Sequence, residues 1–204
     1  MNKEALNKVS DYYSEKISSF GATSKGVDWN GEESHFLRFE QLCKVLPKRE
    51  KFSLMDYGCG FGALIDFLNE KEYLYNYYGF DISEDMINQA KTSYKSNNIS
   101  FSSTLPEDCY DYTIANGIFN VKLDLSVEKW KNHIENTLLE INKISSKGFS
   151  FNILTSYSDE EHKKEYLYYA DPLYFFDYCN KHFSKNVALL HDYNLYEFTI
   201  IVKK

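Results

Sequence analysis

Arginine is almost missing from this 204-residue chain: only Arg38 and Arg49 carry guanidinium groups, and the net charge is −7. A nucleic-acid binder needs a basic footprint on at least one face, so DNA or RNA is disfavoured as the main partner. The four cysteines, at 43, 59, 109 and 179, form no C-x-x-C pair. That spacing argues against a zinc site or a disulfide framework and suits reduced thiols in a cytoplasm. No metal site is expected. No apolar run reaches membrane-spanning length, and the first residues, MNKEALNKVS, lack the apolar centre of a signal peptide. No membrane partner is therefore expected, and the expected location is cytoplasmic. Internal repeats, low-complexity runs and Pro/Gly-rich linkers are also absent, so one domain over 1–204 is the simplest organisation.

Aromatic residues, by contrast, are abundant: 18 Tyr and 15 Phe. They suit wide packing surfaces or a pocket lined with amphipathic rings. Apolar spacing predicts a helix over 4–19, a Gly-containing loop in "FGATSKGVDWNGEES", and a second helix over Glu32 to Leu46 stopped by Pro47. From residue 52 onward, short apolar runs alternate with helical patterns: "FSLMDYG", "YYGFD", "ISFSST", a run inside "YDYTIANGIF", and "GFSFNIL". Ser83 is placed to cap a helix running to about Lys95, and Val127 to Ile144 reads as a long helix. Alternation of this kind predicts a doubly wound α/β fold, Rossmann-like, with a mostly parallel sheet. The tail differs. "NVALLHDY" and "LYEFTIIVKK" are separated by little more than Asn194, which predicts an antiparallel hairpin and brings the sheet to seven strands.

The first strand ends in D-x-G-x-G-x-G: Asp56, Gly58, Gly60 and Gly62. Glycine permits positive φ and close approach of a ligand to the backbone. The third glycine comes one residue too early for the dinucleotide fingerprint G-x-G-x-x-G, and the Lys and Ser/Thr of a Walker A loop are missing. A second acid, Asp81, ends the second strand 25 residues after Asp56. A carboxylate there can accept hydrogen bonds from both ribose hydroxyls of a nucleoside. It can equally cap the following helix. Ile82 beside it offers an apolar face.

"LMDYGCGFG" followed by "YYGFDIS" resembles the nucleoside-binding core of class I S-adenosylmethionine-dependent methyltransferases. The resemblance spans roughly Phe52 to Lys204, including the closing hairpin, with residues 1–50 similar to the family's variable helical cap or lid. It implies S-adenosyl-L-methionine as cofactor. Asp56 would orient the loop toward the methionine amino group. Gly58, Cys59, Gly60 and Gly62 would bring backbone to the methionine and ribose, Asp81 would hold the ribose, and Ile82 would pack on adenine. Leu105, Glu107 and Asp108 are candidates beside the adenine amino group, and Asn116 stands at the methionine end. The nucleic-acid amino-methylating branch carries [DN]-P-P-[YF] where this chain has "ANGIF", which points to a small-molecule acceptor, a metabolite or sugar derivative methylated on oxygen or nitrogen.

A base is needed only if the acceptor must lose a proton. His162, in the Tyr-rich stretch after strand five, His191, at the end of strand six, and Tyr13 are candidates; each also reads as an ordinary surface or packing residue. Lys25 and Trp29, with Asp28, lie in the N-terminal loop and are candidates to cover the cofactor, since aromatic faces favour a sulfonium. That loop resembles one found before the core in small methyltransferases of bacterial surface-polysaccharide clusters. Two alternatives remain: a regulatory or scaffold protein of the same fold that binds the cofactor without transfer, and an NAD-dependent oxidoreductase, against which the early third glycine and the hairpin both count.

Overall fold

In the computed structural model, residues 3–21 and 32–204 are described. Helix α1 (Lys3–Phe20) and helix α2 (Glu32–Leu42) precede the core. The core then runs β1 (Phe52–Tyr57), α3 (Leu64–Glu70), β2 (Tyr75–Phe80), α4 (Glu84–Ser93), β3 (Ile99–Ser102) and β4 (Tyr110–Ala115). It continues with α5 (Val127–Ile144), β5 (Ser145–Leu154), α6 (Pro172–His182), β6 (Asn186–Leu190) and β7 (Glu197–Lys203). The strands form a single sheet in the order β3-β2-β1-β4-β5-β7-β6. Pairs among β1 to β5 are parallel, while β7 runs antiparallel to both β5 and β6. The closing hairpin is therefore folded back so that its second strand, not its first, joins the parallel part.

Both faces of the sheet are covered, as a parallel sheet requires. One core contains Leu42, Leu54, Leu64, Leu68, Ile87 and Ile114; the other contains Ile134, Leu138, Ile141, Phe149, Phe151 and Ile200. Helix α5 exists because Trp130, Ile134, Leu138 and Ile141 recur at helical spacing, all essentially inaccessible. Ser126 caps it by accepting from the Lys129 N–H at 3.3 Å. Helix α4 is capped in the same way by Ser83, which accepts from Met86.

Several boundaries differ from the sequence reading. Helix α2 ends at Leu42 and tightens to a 3-10 turn over Cys43–Val45, because Leu46, preceding Pro47, is extended at ψ 147°. Helix α4 stops at Ser93 rather than near Lys95. Tyr94 turns out to an extended conformation, donates to Asp66 Oδ2 at 2.7 Å and lays its ring against Gly62. Strand β4 stops at Ala115, before Asn116, and β6 stops at Leu190, so His191 falls in a six-residue loop. That loop turns at Asn194, with φ of 53°, and is anchored by a 2.9 Å hydrogen bond between the buried hydroxyls of Tyr193 and Thr199.

Gly148 of β5 marks where β7 closes in. A Cβ there would sit 2.5 Å from the Val202 carbonyl oxygen and 3.3 Å from a Val45 methyl. The Gly148→Ala variant is expected to lose about 1–3 kcal/mol of stability through overpacking, read from urea unfolding midpoints; an unchanged midpoint would show that β7 can move aside freely.

Candidate functional site

A parallel sheet of this type binds ligands beyond the carboxyl ends of its strands, where the strand order reverses. Here the order reverses between β1 and β4, and a cavity of about 360 Å³ opens at that point. Its floor is the turn after β1, with Asp56, Gly58, Cys59, Gly60 and Phe61. Asp81 and Ile82 enter from the end of β2, Leu105 from beyond β3, and Asn116, Gly117 and Ile118 from beyond β4. Helix α1 contributes Val9 and Tyr13, helix α2 contributes His35 and Phe39, and α5 contributes Trp130, His133, Asn136, Thr137 and Glu140.

The turn owes its shape to glycine. Gly58, Gly60 and Gly62 have φ of 82°, 54° and 90°, the left-handed region. The Gly58 and Cys59 N–H groups donate to the Phe80 carbonyl at 2.7 and 2.9 Å, binding the turn to the end of β2. A Cβ on Gly58 would lie 2.2 Å from an Ile118 methyl, so the cavity wall leaves no room for one. Gly62 does a different job. It is not part of the lining, and a Cβ on it would lie 2.9 Å from the Tyr94 ring. Its glycine is required by packing behind the turn.

Asp81 accepts from the Gly60 N–H through Oδ2 and from the Ser83 N–H through Oδ1, each at 2.9 Å. Burial pushes its carboxyl above the usual range, and these two donors offset only part of that rise. Asp56, 3% exposed, accepts a 2.6 Å hydrogen bond from the Tyr77 hydroxyl. Burial raises its pKa from 3.8 to about 7, against the Tyr77 hydrogen bond and with help from the Asp81 charge. Asn116 Oδ1 is buried and has no hydrogen-bond partner among the described residues. It is an acceptor that needs a donor from the cavity.

Two histidines missed in the sequence reading line the same cavity. His35 and His133 are both lowered to about 4 by burial, His35 further by Arg38, so both are neutral near pH 7. His133 belongs to a polar stripe on α5, with Asn136, Thr137 and Glu140. His133 Nδ1 is 3.4 Å from the Thr137 hydroxyl, and the Tyr57 hydroxyl donates to Glu140 at 3.2 Å. The spacing 133, 136, 137, 140 beside the apolar stripe 130, 134, 138, 141 was the available signal.

Of the three candidate bases, only Tyr13 faces the cavity. His162 lies in a 3-10 turn with its ring 5.4 Å from Tyr196, and the ring of His191 is 6.0 Å from Tyr157. Neither lines the cavity; the segment after β5 is bonded to the end of β5, to the loop before β7 and, around Tyr166–Tyr168, to the stretch after β4. Ala170 N donates to Leu154 O at 2.8 Å, and the Tyr196 hydroxyl donates to Asp159 at 2.5 Å. Glu107 and Asp108 are exposed, and only Leu105 of that group reaches the cavity. Lys25, Asp28 and Trp29 lie outside the described residues. Among the described residues, no group of three His, Cys, Asp or Glu side chains is placed to hold a metal ion.

The lining fits a nucleoside cofactor carrying positive charge. Among the described residues it contains the carboxylates of Asp56, Asp81 and Glu140 and neither lysine nor arginine. Asp81 presents a carboxylate for hydroxyl donors, Asp56 and the Asn116 carbonyl suit amino donors, and a sulfonium is favoured by the acidic surroundings. The pyrophosphate of a dinucleotide would meet these same carboxylates without a cation to offset them.

Comparisons with known proteins agree. The family model described as "Methyltransferase domain" matches residues 54–148. The chain is 45% identical over 163 residues to Rv1506c of Mycobacterium tuberculosis (strain ATCC 25618 / H37Rv), whose methyltransferase name is provisional; the match covers 79% of this chain and 98% of that protein. Two solved structures share the fold. One is a chain of the Haloferax volcanii complex between the Trm112 methyltransferase activator and a provisionally named methyltransferase, with TM-score 0.62, 15% identity, and 93% and 96% of the two chains covered. The other is an S-adenosylmethionine-dependent methyltransferase from Mesorhizobium loti, with TM-score 0.55, 13% identity, and 82% and 98% covered.

The raised Asp56 sets a pH test. With the folded pKa near 7 and the unfolded one near 3.8, the folded state alone holds this proton between those values. Asp56 therefore removes stability as pH rises through that window. His35 and His133, with lowered pKa, act in the opposite sense below about pH 6.5. A difference measurement isolates Asp56: Asp56→Asn should gain stability relative to the parent between pH 5 and 7, in paired urea titrations without cofactor. A difference independent of pH would place the Asp56 pKa in the ordinary range.

Proposed function

Because this chain belongs to the class I S-adenosylmethionine-dependent methyltransferases, we propose that its acceptor is a small metabolite or sugar derivative, methylated on oxygen or nitrogen in the cavity described above. S-adenosylmethionine supplies a methyl group already activated on sulfur. Asp81 holds the ribose hydroxyls while keeping its bonds to Gly60 and Ser83. Ile82 and Leu105 flank the base with apolar surface, and Asp56 and the Asn116 carbonyl receive the amino end. The backbone at Gly58 and Gly60 approaches the methionine half, where no Cβ intervenes.

The observation that carries the acceptor reading is the character of the remaining wall. His133, Asn136 and Thr137 on α5 are uncharged hydrogen-bonding groups, and no lysine or arginine is present among the described lining residues. Such a wall suits hydroxyl, amide or amine groups and offers nothing to a phosphate backbone. Helices α1 and α2 close over it. Ser10 donates to the Ile82 carbonyl at 3.3 Å, and the hydroxyls of Ser14 and Ser83 are 2.9 Å apart. On this reading helices α1 and α2 act as a lid, with Val9, Tyr13, His35 and Phe39 facing the cavity. Most of the acceleration comes from holding the acceptor in line with the sulfur–methyl bond. Where a hydroxyl acceptor must lose its proton, the cavity offers the imidazoles of His35 and His133, Tyr13 and the carboxyl group of Glu140. Free buried thiols at Cys43, Cys59 and Cys179 suit a reducing cytoplasm, where we place the protein.

Asp81→Ala should weaken S-adenosylhomocysteine binding by about 1–3 kcal/mol in calorimetry, as for lost hydrogen bonds to a charged group. Unchanged affinity in a folded variant would remove Asp81 from the site. For the acceptor, the protein is incubated with methyl-labelled S-adenosylmethionine and a cell extract divided by size. Label should enter the small-molecule fraction. Label confined to nucleic acid or protein would overturn the acceptor reading, and cofactor binding with no transfer at all would favour the scaffold alternative.

A further inference from the structure

A buried chain of polar groups runs from the lid to the cavity wall. Arg38 Nε on α2 donates to Glu197 Oε2 at 2.8 Å. Glu197 Oε1, at the start of β7, accepts from Asn152 Nδ2 on β5 at 3.0 Å. Asn152 Oδ1 accepts from the Gly117 N–H at 2.7 Å. The side chain of Arg38 is 13% exposed and that of Glu197 1%; Asn152 is fully buried. Gly117, with φ of 76°, sits between Asn116 and Ile118, and all three line the cavity.

Stability alone gives no reason for this arrangement. Two charges taken out of water lose about as much as their pairing returns, and apolar residues of similar volume often serve as well or better. Direction is what the chain supplies. The Gly117 N–H can only donate, and a carboxylate at 197 can only accept. An amide between them has one orientation, with its oxygen toward Gly117 and its nitrogen toward Glu197. Without the acceptor at 197 the buried Nδ2 donor is left unsatisfied and the amide is held by the Gly117 N–H alone, so its hold on that N–H loosens. Burial raises the Glu197 carboxyl pKa, and Arg38 opposes that rise while holding the side chain in place. Arg38 also lies on the same helix that presents His35 and Phe39 to the cavity.

We propose that Asn152 and Glu197 are positioning residues for the methyl donor: by fixing the Asn152 amide they hold the Gly117 N–H, and with it the Asn116–Ile118 wall, in the conformation that receives the cofactor, and through Arg38 they join that wall to the lid. None of the three side chains is in the cavity lining, so they act through Gly117 and not by contact. The inference concerns the donor half of the site and holds whatever the acceptor is.

Two double variants of the full chain separate this from a packing role. R38M/E197Q removes both charges and keeps an acceptor for Asn152 Nδ2. R38M/E197L removes both charges and the acceptor. Binding of S-adenosylhomocysteine is measured by calorimetry well below each variant's thermal midpoint, so that only folded protein is compared. The Gln variant should bind within about three-fold of the parent, and the Leu variant about ten-fold more weakly, the effect of one lost hydrogen bond. Equal affinities in the two variants would overturn the proposal, whatever their thermal midpoints. A measurement on the parent protein covers the case in which a variant fails to fold. By NMR, the Gly117 amide should exchange with solvent as slowly as the amides of β4 in the cofactor-free protein. Exchange at the rate of an exposed loop would show that Asn152 does not hold it.

Discussion

The carboxylate of Asp81 joins the two halves of the cradle. Its Oδ2 grips the Gly60 N–H of the turn after β1, and its Oδ1 grips the Ser83 N–H where α4 begins. Neither bond consumes all of an oxygen's accepting capacity, since each has two lone pairs. One side chain thus sets the spacing between turn and helix and still faces the cavity with accepting capacity left. The lid depends on the same place. Helix α1 reaches the core through Ser10 at the Ile82 carbonyl and Ser14 at the Ser83 hydroxyl, both within two residues of Asp81. Moving Asp81 would disturb the floor, the side wall and the cover together.

Charge then decides what the cradle accepts. Burial raises the cost of ionising both Asp56 and Asp81, and the Asp81 charge raises that of Asp56 further, in a wall with no cation among the described residues. A ligand bearing its own positive charge relieves that cost, and one bearing a pyrophosphate increases it. The selection between methyl donor and dinucleotide is therefore made less by the glycines, which both ligand classes use, than by the sign of the field above them. The α5 wall continues this logic: His133, Asn136 and Thr137 hydrogen-bond without positive charge, and Glu140 adds another carboxylate.

Local chemistry was legible in the sequence where one segment carried its own reason. Asp56, Gly58, Gly60, Asp81 and Ile82 were found because strand, turn and acid lie together in two short runs, and the structure puts all five in one cavity. Ser83 was readable as a cap for the same reason. Residues that depend on distant partners were not. Gly62 looks like a third member of the ligand turn, yet the ring that demands it, Tyr94, comes from the end of another helix. His35 and His133 are helical residues whose meeting depends on where α2 and α5 cross the sheet. His162 drew notice in the Tyr-rich stretch after β5 and His191 at the end of β6, but their rings lie against Tyr196 and Tyr157, away from the cavity lining. The order β5-β7-β6 was also hidden, because a hairpin in sequence does not say which of its strands meets the sheet.

That insertion has a consequence for how the protein is made. Strands β5 and β6 do not pair with each other; β7 fills the space between them and is buried over nearly its whole length. During synthesis the ribosome delivers β7 after the other six strands of this sheet, so the growing chain carries an unpaired β5 edge until β7 emerges. Glu197, which orients the Asn152 amide, arrives with it. A nascent chain stalled before β7 has its glycine turn but lacks the strand whose Glu197 bonds the Asn152 amide behind the opposite wall.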